Sequence, residues 1–476
     1  MQIQSSAYLR SKKPALKKLI DELSSRYEYA SVLAQDARAY AYNVNPSGRS
    51  ASPLALQSKR GFVVRVYDGT GYAEYSFNDI SEEKVRDIVK TVSEKLVPIP
   101  EMLTDRFGRL NRPAAADEQC VFLKSSECKI HPDDLGGDKI LDRLAEIREK
   151  AISYDDRIFD AASRYEFAEI HKMFISPKKD MEQNIMWSDG MVSALVHAGE
   201  EVRMSYKPYS CLGGAELLDD IAAGAEDAAK TAVELTGLQP VTPGVYDCIC
   251  SPDITGLIAH EAFGHGVEMD MFVKDRALAK DYIGRRVASD LVTMHDTACA
   301  MDDTGSYFFD DEGNLASDTL IIDHGILKKG MADELSALSL GVPPTGNGRR
   351  ESYERKAYTR MTNTYFEPGT DSLEDMIGSI KYGFLLDQAE SGMEDPKNWG
   401  IQCMVSFGRE IKDGKLTGRL VGPVVLTGYV PDLLKSISMV SPDLDHTGTG
   451  GCGKGWKEFV KVSCGGPYIK AKIRLG

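Results

Sequence analysis

The sequence predicts an α+β fold in two domains, residues 1–238 and 239–476, of which the second is mainly β. With 476 residues, the chain is longer than one ordinary hydrophobic core organises. Strand-like runs flanked by helical segments fill the first half, whereas glycine and short β-prone runs dominate the second. Between them, residues 237–244 hold two prolines and two glycines, a composition typical of a linker.

The elements of the first half follow from local signals. Residues 61–77 predict a hairpin, because two β-prone runs flank a D-G-x-G turn. Strands are also expected within 158–197. Apolar spacing and end signals, such as Ser81 as an N-cap, predict the helices. The predicted helices are 13–26, 79–96, 138–152 and 216–235.

In the second half, one helix and several short strands are expected. Ser251 and Pro252 predict the start of a helix, as N-cap and first helical residue. The predicted strands include 319–322, 401–407, 421–427 and 468–475.

Composition limits the partners and the compartment. The net charge of −15 and the absence of a basic cluster predict no nucleic-acid partner and no anionic membrane surface. No apolar run has the length of a membrane span, and residues 1–10 lack the apolar core of a signal peptide. The nine cysteines are scattered without a C-x-x-C pair, which indicates reduced thiols. We therefore expect a cytoplasmic protein.

The strongest chemical signal is His260-Glu-Ala-Phe-Gly-His265. Two imidazoles beside a carboxylate can supply two metal ligands and a base, as in zinc hydrolases. However, five residues separate the histidines, and five steps place side chains about 140° apart on an ideal α-helix. On these residues alone, a metal site in a deformed helix and two packing histidines are equally supported.

Zinc needs a third protein ligand, and four residues are candidates. They are Glu268, Asp270, His446 and Cys452, the last within the glycine-rich run 448–455. Glu261 would act as general base on a metal-bound water, or else be a solvated helix residue.

A cluster of polar residues follows between positions 349 and 363. Arg349, Arg350 and Arg360 could bind a substrate carboxylate or hold acidic loops in place. Tyr353 could donate to an oxyanion or simply pack, and Asn363 could serve loop hydrogen bonding. Arg350, Tyr353 and Asn363 are retained as candidate substrate-binding residues.

Several motifs together resemble the TldD/PmbA (TldE) family of metallopeptidases over nearly the whole chain. Residues 260–268 are similar to its H-E-A-x-G-H-G-x-E pattern. Residues 345–353 and 360–364 are similar to its G-N-x-R-R and R-M-T-N-T signatures. Residues 449–454 resemble its glycine-cysteine-glycine-lysine run, and 61–79 its N-terminal element. The histidine pattern places the chain on the metal-bearing side of the family.

The resemblance implies a site, a cofactor and a partner. It implies His260, His265 and Cys452 as ligands of Zn²⁺ and Glu261 as the catalytic base. It also implies a peptide substrate and either a PmbA/TldE-like partner chain or a homodimer. The implied fold has an N-terminal sandwich-like α+β half with a curved sheet, and a mainly antiparallel β half that carries one metal-binding helix. Both imidazoles can then share one ion if a π-type bulge deforms the helix near residues 263–265.

The leading hypothesis is a zinc-dependent peptidase that hydrolyses peptide bonds in unfolded or extended peptides, with Glu261 activating a zinc-bound water. The alternative is a non-catalytic peptide-binding or regulatory subunit of a TldD/PmbA-type assembly. A zinc enzyme acting on a different amide is a third possibility.

Overall fold

The computed structural model describes residues 1–69, 71–95, 115–300, 302–455 and 458–476. It confirms the α+β class, with one large sheet in the N-terminal half and smaller sheets in the C-terminal half. The domain boundary near residue 238 stays a prediction. In these ranges no helix combines the length and apolar character needed to cross a bilayer.

The N-terminal sheet has eight strands among the described residues, in the order β4-β3-β1-β6-β7-β5, with β2 beside β1 and β8 beside β7. Its pairs are antiparallel except β5 with β7, and the predicted hairpin is confirmed as β3 and β4. The strands are β1 Tyr29–Asn45, β2 Gly48–Pro53, β3 Arg60–Tyr67, β4 Tyr72–Phe77, β5 Cys120–Ser125, β6 Ile158–Ile175, β7 Lys179–Ala198 and β8 Glu201–Cys211.

The helices of this half differ from the prediction at their ends. The first begins earlier, because the side chain of Ser6 caps it by accepting from the backbone N–H of Leu9. The predicted helix 216–235 is wrong as one element: it breaks at Gly224, where a Cβ atom would lie 2.2 Å from the hydroxyl of Tyr209. The helices are Ala7–Ser24, Val85–Lys95, Pro132–Leu135, Gly137–Ile152, Leu217–Ala223 and Ala225–Glu234.

The two faces of the large sheet have different neighbours. Side chains alternate between faces along a strand. Val32 and Val64 pack with the first two helices, whereas Leu33 and Val63 pack with Phe309 of the C-terminal half. The sheet therefore lies between a helical layer and the C-terminal half, and its second face forms one wall of the space near the candidate site.

The C-terminal half is built on a closed ring of strands. Strand β16 pairs with both β9 and β17, so that β16-β9-β25-β19-β17 closes on itself, while β18 and β20 extend it. The ring is antiparallel except for β9 with β16. These strands are β9 Gly244–Cys250, β16 Tyr382–Asp395, β17 Gly400–Lys412, β18 Lys415–Val421, β19 Val424–Tyr429, β20 Met439–Val440 and β25 Ile469–Leu475.

A second sheet and two short ladders complete this half in the described ranges. The sheet runs β12-β11-β10-β15-β24-β21, with β15 and β24 parallel, and the ladders are β13-β14 and β22-β23. The strands are β10 Met294–Thr297, β11 Asp318–Asp323, β12 Ile326–Leu327, β13 Gly348–Arg349, β14 Tyr358–Thr359, β15 Asn363–Phe366, β21 Asp445–Thr447, β22 Gly451–Cys452, β23 Val460–Lys461 and β24 Ser463–Gly466.

The helices of the C-terminal half are short, and one of them is deformed. An α-helix over Pro252–Leu257 continues as a π-helix over Ile258–Gly264 and a 3₁₀ turn over His265–Val267. Together these segments are termed the π-containing helix below, and they pack against β15, β16, β17 and β24. The remaining helices are Met269–Val273, the 3₁₀ helix Leu278–Tyr282, Glu334–Leu340, Leu373–Gly378 and Val430–Lys435.

Candidate metal centre

The π-helix brings the two histidines onto one side of the backbone. The N–H of His265 donates to the carbonyl of His260, five residues earlier, as a π-helix requires. Residues five apart therefore lie above one another, and the two imidazole centroids are 5.2 Å apart. The predicted π-type deformation is confirmed, although it begins at Ile258, earlier than expected.

Cys452 completes a compact group with both rings. Its Sγ lies 3.2 Å from Nε2 of His260 and 3.4 Å from Nε2 of His265. The three potential ligand atoms all lie within 4.8 Å of one another. Zinc bonds of about 2.0–2.3 Å in a tetrahedral arrangement place nitrogen and sulfur ligands roughly 3.3–3.8 Å apart. The two sulfur–nitrogen distances are close to this range, and two imidazoles with a cysteine are a donor set that zinc uses.

The electrostatics of the group favour a thiolate. Burial alone would raise the pKa of the Cys452 thiol, but His260 and His265 outweigh it and lower that pKa well below its ordinary value. A thiolate is the form in which cysteine ligates a metal. Nδ1 of His260 is buried and has no hydrogen-bond partner among the described residues.

The carboxylate of Glu268 organises the outer side of the group. Its Oε2 lies 3.3 Å from Nδ1 of His265 and 3.0 Å from Nζ of Lys454. Its Oε1 lies 3.4 Å from Nε of Arg360, and both of these side chains are 1% exposed. Arg360 also donates through Nη2 to the carbonyl of Cys452 at 2.8 Å, which ties the cysteine strand to the same carboxylate.

Glu261 lies beside the three ligand atoms. Its Oε2 is 3.9 Å from Nε2 of His265. Its side chain rests on Gly392 of β16, where a Cβ atom would come within 2.7 Å of Cγ of Glu261. Burial raises the pKa of Glu261, against the nearby imidazoles, which lower it.

A cavity of about 160 Å³ opens onto these groups. His260, Glu261 and Cys452 line it, together with Cys464 and the glycine-rich residues 448–451. A reactant in this cavity would meet two of the three candidate ligand residues, His260 and Cys452, together with Glu261.

The other three candidate ligands are not part of the three-atom group. His446 is on β21, where its Nδ1 is 3.1 Å from Asp303 and its ring meets Tyr365 edge-on. Asp270 pairs with Lys454 at 2.7 Å and with Lys274 at 2.8 Å. Glu268 contacts His265, but not as a member of the three-atom group.

The candidate substrate-binding residues are engaged in other contacts. The guanidinium of Arg350 pairs with Glu74 and is almost fully buried. Tyr353 is 7% exposed, with its ring against Gly61. Asn363 is fully buried, and its amide donates to Thr297 and Ser306 and accepts from Gly305 and Ser463. These contacts hold the three residues within the fold, and their part in substrate binding stays a prediction.

Two contributors to the site had only weak sequence signals. Lys454 stands two positions after Cys452 and ends the glycine-cysteine-glycine-lysine run, but neither fact indicated a contact with Glu268. Gly392, in a strand far from Glu261 in sequence, contacts the side chain of Glu261. A single glycine in a strand indicates close packing, but the sequence does not show which residue packs against it.

Comparisons with known proteins identify related metalloproteases. A family model described as the PmbA/TldA metallopeptidase C-terminal domain matches residues 243–474. A metalloprotease of Methanothermobacter thermautotrophicus is 30% identical over 283 residues, 59% of this chain and 61% of that protein. A zinc metalloprotease TldD homolog of Saccharolobus solfataricus is 34% identical over 246 residues, 51% of this chain and 54% of that protein. The matches thus span little more than half of these curated relatives.

Among solved structures, TldE from Thermococcus kodakarensis has the same fold. Its TM-score is 0.74 at 20% sequence identity, covering 97% of this chain and 100% of that chain. At this identity the likeness concerns the fold alone.

Proposed function

The chain belongs to the PmbA/TldD family, and from this premise we propose that it is a zinc-dependent peptidase acting on unfolded or extended peptides. The observation that carries the proposal is the group of His260, His265 and Cys452, whose ligand atoms lie within 4.8 Å of one another beside Glu261. Three protein ligands and an open cavity are what a catalytic zinc site needs.

These three residues would hold the ion through Nε2 of each imidazole and Sγ of the cysteine. When bound, zinc supplies Lewis acidity that polarises a carbonyl and makes water a better nucleophile at neutral pH. Glu268 would keep the ring of His265 in one tautomer by accepting from its Nδ1–H. Arg360 and Lys454 would balance the charge of Glu268 inside the protein.

Glu261 would transfer a proton from the attacking water to the leaving amine. Its carboxylate lies at the cavity without belonging to the ligand group, so it can accept a proton from the attacking water. Burial makes this carboxylate more basic than an exposed one, which suits a general base. The same oxygen can then deliver that proton to the leaving amine nitrogen.

The glycine-rich wall suits an extended substrate. Gly450 and Gly451 line the cavity, and apart from their chain neighbours no atom of the described residues lies within 3.5 Å of a Cβ built on either residue. A peptide main chain could therefore approach closely and pair with the backbone there, which would give little sequence preference.

The family and the TldE fold likeness support a partner chain. We include in the proposal that the chain assembles with a PmbA/TldE-like protein or with a second copy of itself. Light scattering of the purified chain, alone and mixed with such a protein, tests this part: a monomeric mass in both samples would contradict it.

The catalytic part is tested with zinc-loaded Glu261→Gln and a reduced, alkylated protein as unfolded substrate. We expect one zinc per chain in the parent and the variant, with cleavage lost in the variant. Glu354→Gln, which changes an exposed carboxylate paired with Lys59, is the matched control and should cleave like the parent. Full cleavage by Glu261→Gln, or a parent without stoichiometric zinc, would refute the proposal.

A further inference from the structure

A second and larger cavity lies next to the metal centre. This side cavity, of about 320 Å³, lies between the large N-terminal sheet and the C-terminal half. Trp187 and Gln183 line it from β7, and Tyr307, Arg349 and Lys461 line it from the other side. Its volume corresponds to about ten water molecules, enough for a large side chain.

The side cavity and the metal cavity share one wall. Thr449, Gly450 and Gly451 line both. Gly451 pairs in register with Lys461, and the next pair is Cys452 with Val460. A peptide lying along this glycine strand would therefore extend from the metal centre into the side cavity.

Most cations that line the side cavity are neutralised by carboxylates. Each of four basic side chains has an acidic partner within ion-pair distance. These pairs are Arg164 with Glu166, Lys172 with Asp311, Arg350 with Glu74, and Lys461 with Asp189.

Arg349 differs from these four, since no carboxylate of the described residues forms an ion pair with it. Its Nη1 donates to the carbonyl of Met361 at 2.5 Å and its Nη2 to the carbonyl of Lys461 at 2.6 Å. Its guanidinium lies 5.3 Å from the ring centroid of Tyr307. These contacts fix the guanidinium in place but leave its positive charge uncompensated, and a guanidinium has five N–H donors in all.

The acidic side chains of the cavity wall are engaged by other groups. Asp310 accepts backbone N–H groups from Glu312, Asn314 and Gly348. Asp311 contacts Lys172, and Glu351 lies 3.5 Å from Arg355. The wall therefore offers Arg349 no obvious counter-ion, and an incoming anion would find a preorganised cation.

We propose that Arg349 binds a carboxylate of the substrate peptide in the side cavity, so that peptides with an acidic group a few residues from the cleaved bond are preferred. The proposal rests on the proposed peptidase function and gives its substrate class. The carboxylate can come from an Asp or Glu side chain or from the C-terminus of the peptide, since a planar guanidinium binds both in the same way. If the bound carboxylate is the C-terminus of the peptide, the protein would be a carboxypeptidase-like enzyme. If it is an Asp or Glu side chain, the protein would be an acid-selective endopeptidase.

Matched pairs of short extended peptides test the proposal on the zinc-loaded protein. One set replaces Glu by Gln at each position in turn, and the other compares a free C-terminal acid with its amide. We expect kcat/KM of the parent to favour the acidic member of at least one pair by about tenfold to a hundredfold, the range for a charge-assisted hydrogen bond. Arg349→Gln should reduce that ratio to near one, whereas Arg349→Lys should keep part of it. Arg49→Gln, which changes an exposed arginine paired with Asp142 and outside the lining of the side cavity, should keep the full ratio.

Binding separates this inference from the proposed function. The same peptide pairs are titrated by calorimetry into zinc-loaded Glu261→Gln, with and without Arg349→Gln. Acid-selective binding that depends on Arg349, without cleavage by the parent, would keep this inference and refute the peptidase. The inference would be overturned if the parent cleaved and bound the acidic and amide peptides equally well. This test uses the parent alone and so does not require that an Arg349 variant folds. Acid selectivity that survives in folded Arg349→Gln would overturn it as well.

Discussion

Oε2 of Glu268 lies 3.3 Å from Nδ1 of His265, the ring nitrogen opposite to the one that faces Cys452. This contact fixes which nitrogen of His265 is free to bind a metal. The same carboxylate lies beside Arg360, which holds the carbonyl of Cys452. One buried carboxylate thus links the histidine helix to the cysteine strand.

Replacing Glu268 by Gln should weaken zinc binding by about 10–100-fold, because carboxylates that orient ligating histidines typically contribute that much to metal affinity. It should also destabilise the fold by about 3–5 kcal/mol, since Arg360 would remain buried without its counter-ion. Competition with a chelator gives the affinity, and urea unfolding gives the stability. Glu410→Gln, which alters a buried carboxylate paired with Arg419, is the control and should keep the parental zinc affinity. Parental zinc affinity in Glu268→Gln would contradict this role.

Removal of the thiol should empty the metal site. We expect Cys452→Ala to bind far less than one zinc per chain, since only two ligands would remain. Cys299→Ala, which changes an exposed cysteine outside the group, and His446→Ala should both retain one zinc. Metal analysis after gel filtration measures this. Zinc retained by Cys452→Ala but lost by His446→Ala would show that the ligand set is wrong.

The five-residue spacing of His260 and His265 carried unusual structural information. The spacing is incompatible with a shared face on an α-helix. Together with the family resemblance, which implied that both imidazoles bind one ion, it predicted a π-type deformation that the structure contains. The break at Gly224 could not be predicted in the same way. Gly224 lies against Tyr209 of β8, and local propensity does not include such a contact with another strand.

The contacts of Arg349, Arg350 and Arg360 also depend on residues that are distant in sequence. Their sequence context left carboxylate binding and loop anchoring open for all three. Glu74 comes from the N-terminal sheet to pair with Arg350, and Glu268 pairs with Arg360. Only the tertiary structure shows that Arg350 and Arg360 have carboxylate partners, whereas Arg349 forms no ion pair with the described residues.

The π-helix should be sensitive to side-chain volume at Gly264. A Cβ atom there would lie 2.3 Å from Sδ of the buried Met361 and 3.1 Å from the carbonyl of Ala259. We expect Gly264→Ala to lower the free energy of unfolding by about 1–3 kcal/mol through overpacking. Gly237→Ala is the matched control. Apart from its chain neighbours, no atom in the described part of the chain lies within 4 Å of its Cβ position, so the substitution should be neutral or slightly stabilising. Urea unfolding compares the two, and equal stabilities would show that the π-helix tolerates the extra methyl group.

A buried ion pair of the N-terminal sheet should make stability depend on pH. Burial disfavours protonated His171, but hydrogen bonds to Glu169 and Asn184 outweigh it and raise the pKa of His171 above 6.5. Burial likewise opposes ionised Glu169, but His171 and Arg38 lower its pKa to about 2. The Glu169 contribution is therefore complete above about pH 4.5 and is lost only as the pH falls toward 2. The His171 contribution is complete below pH 6.5 and is lost as the pH rises through the raised pKa.

We therefore expect the free energy of unfolding to fall more steeply in the parent than in His171→Gln as the pH rises above 6.5. The reason is that the unfolded chain releases its proton from His171 first, so deprotonation favours unfolding. His197→Gln is the control, because His197 is exposed and stacks on Phe159 without a carboxylate partner in the described structure. Urea titrations at several pH values measure the slopes. The contradicting result is an equal pH dependence of the free energy of unfolding in the parent and His171→Gln, with a different one in His197→Gln. The contact between Glu169 and His171 would then not contribute to stability in the way that its geometry indicates.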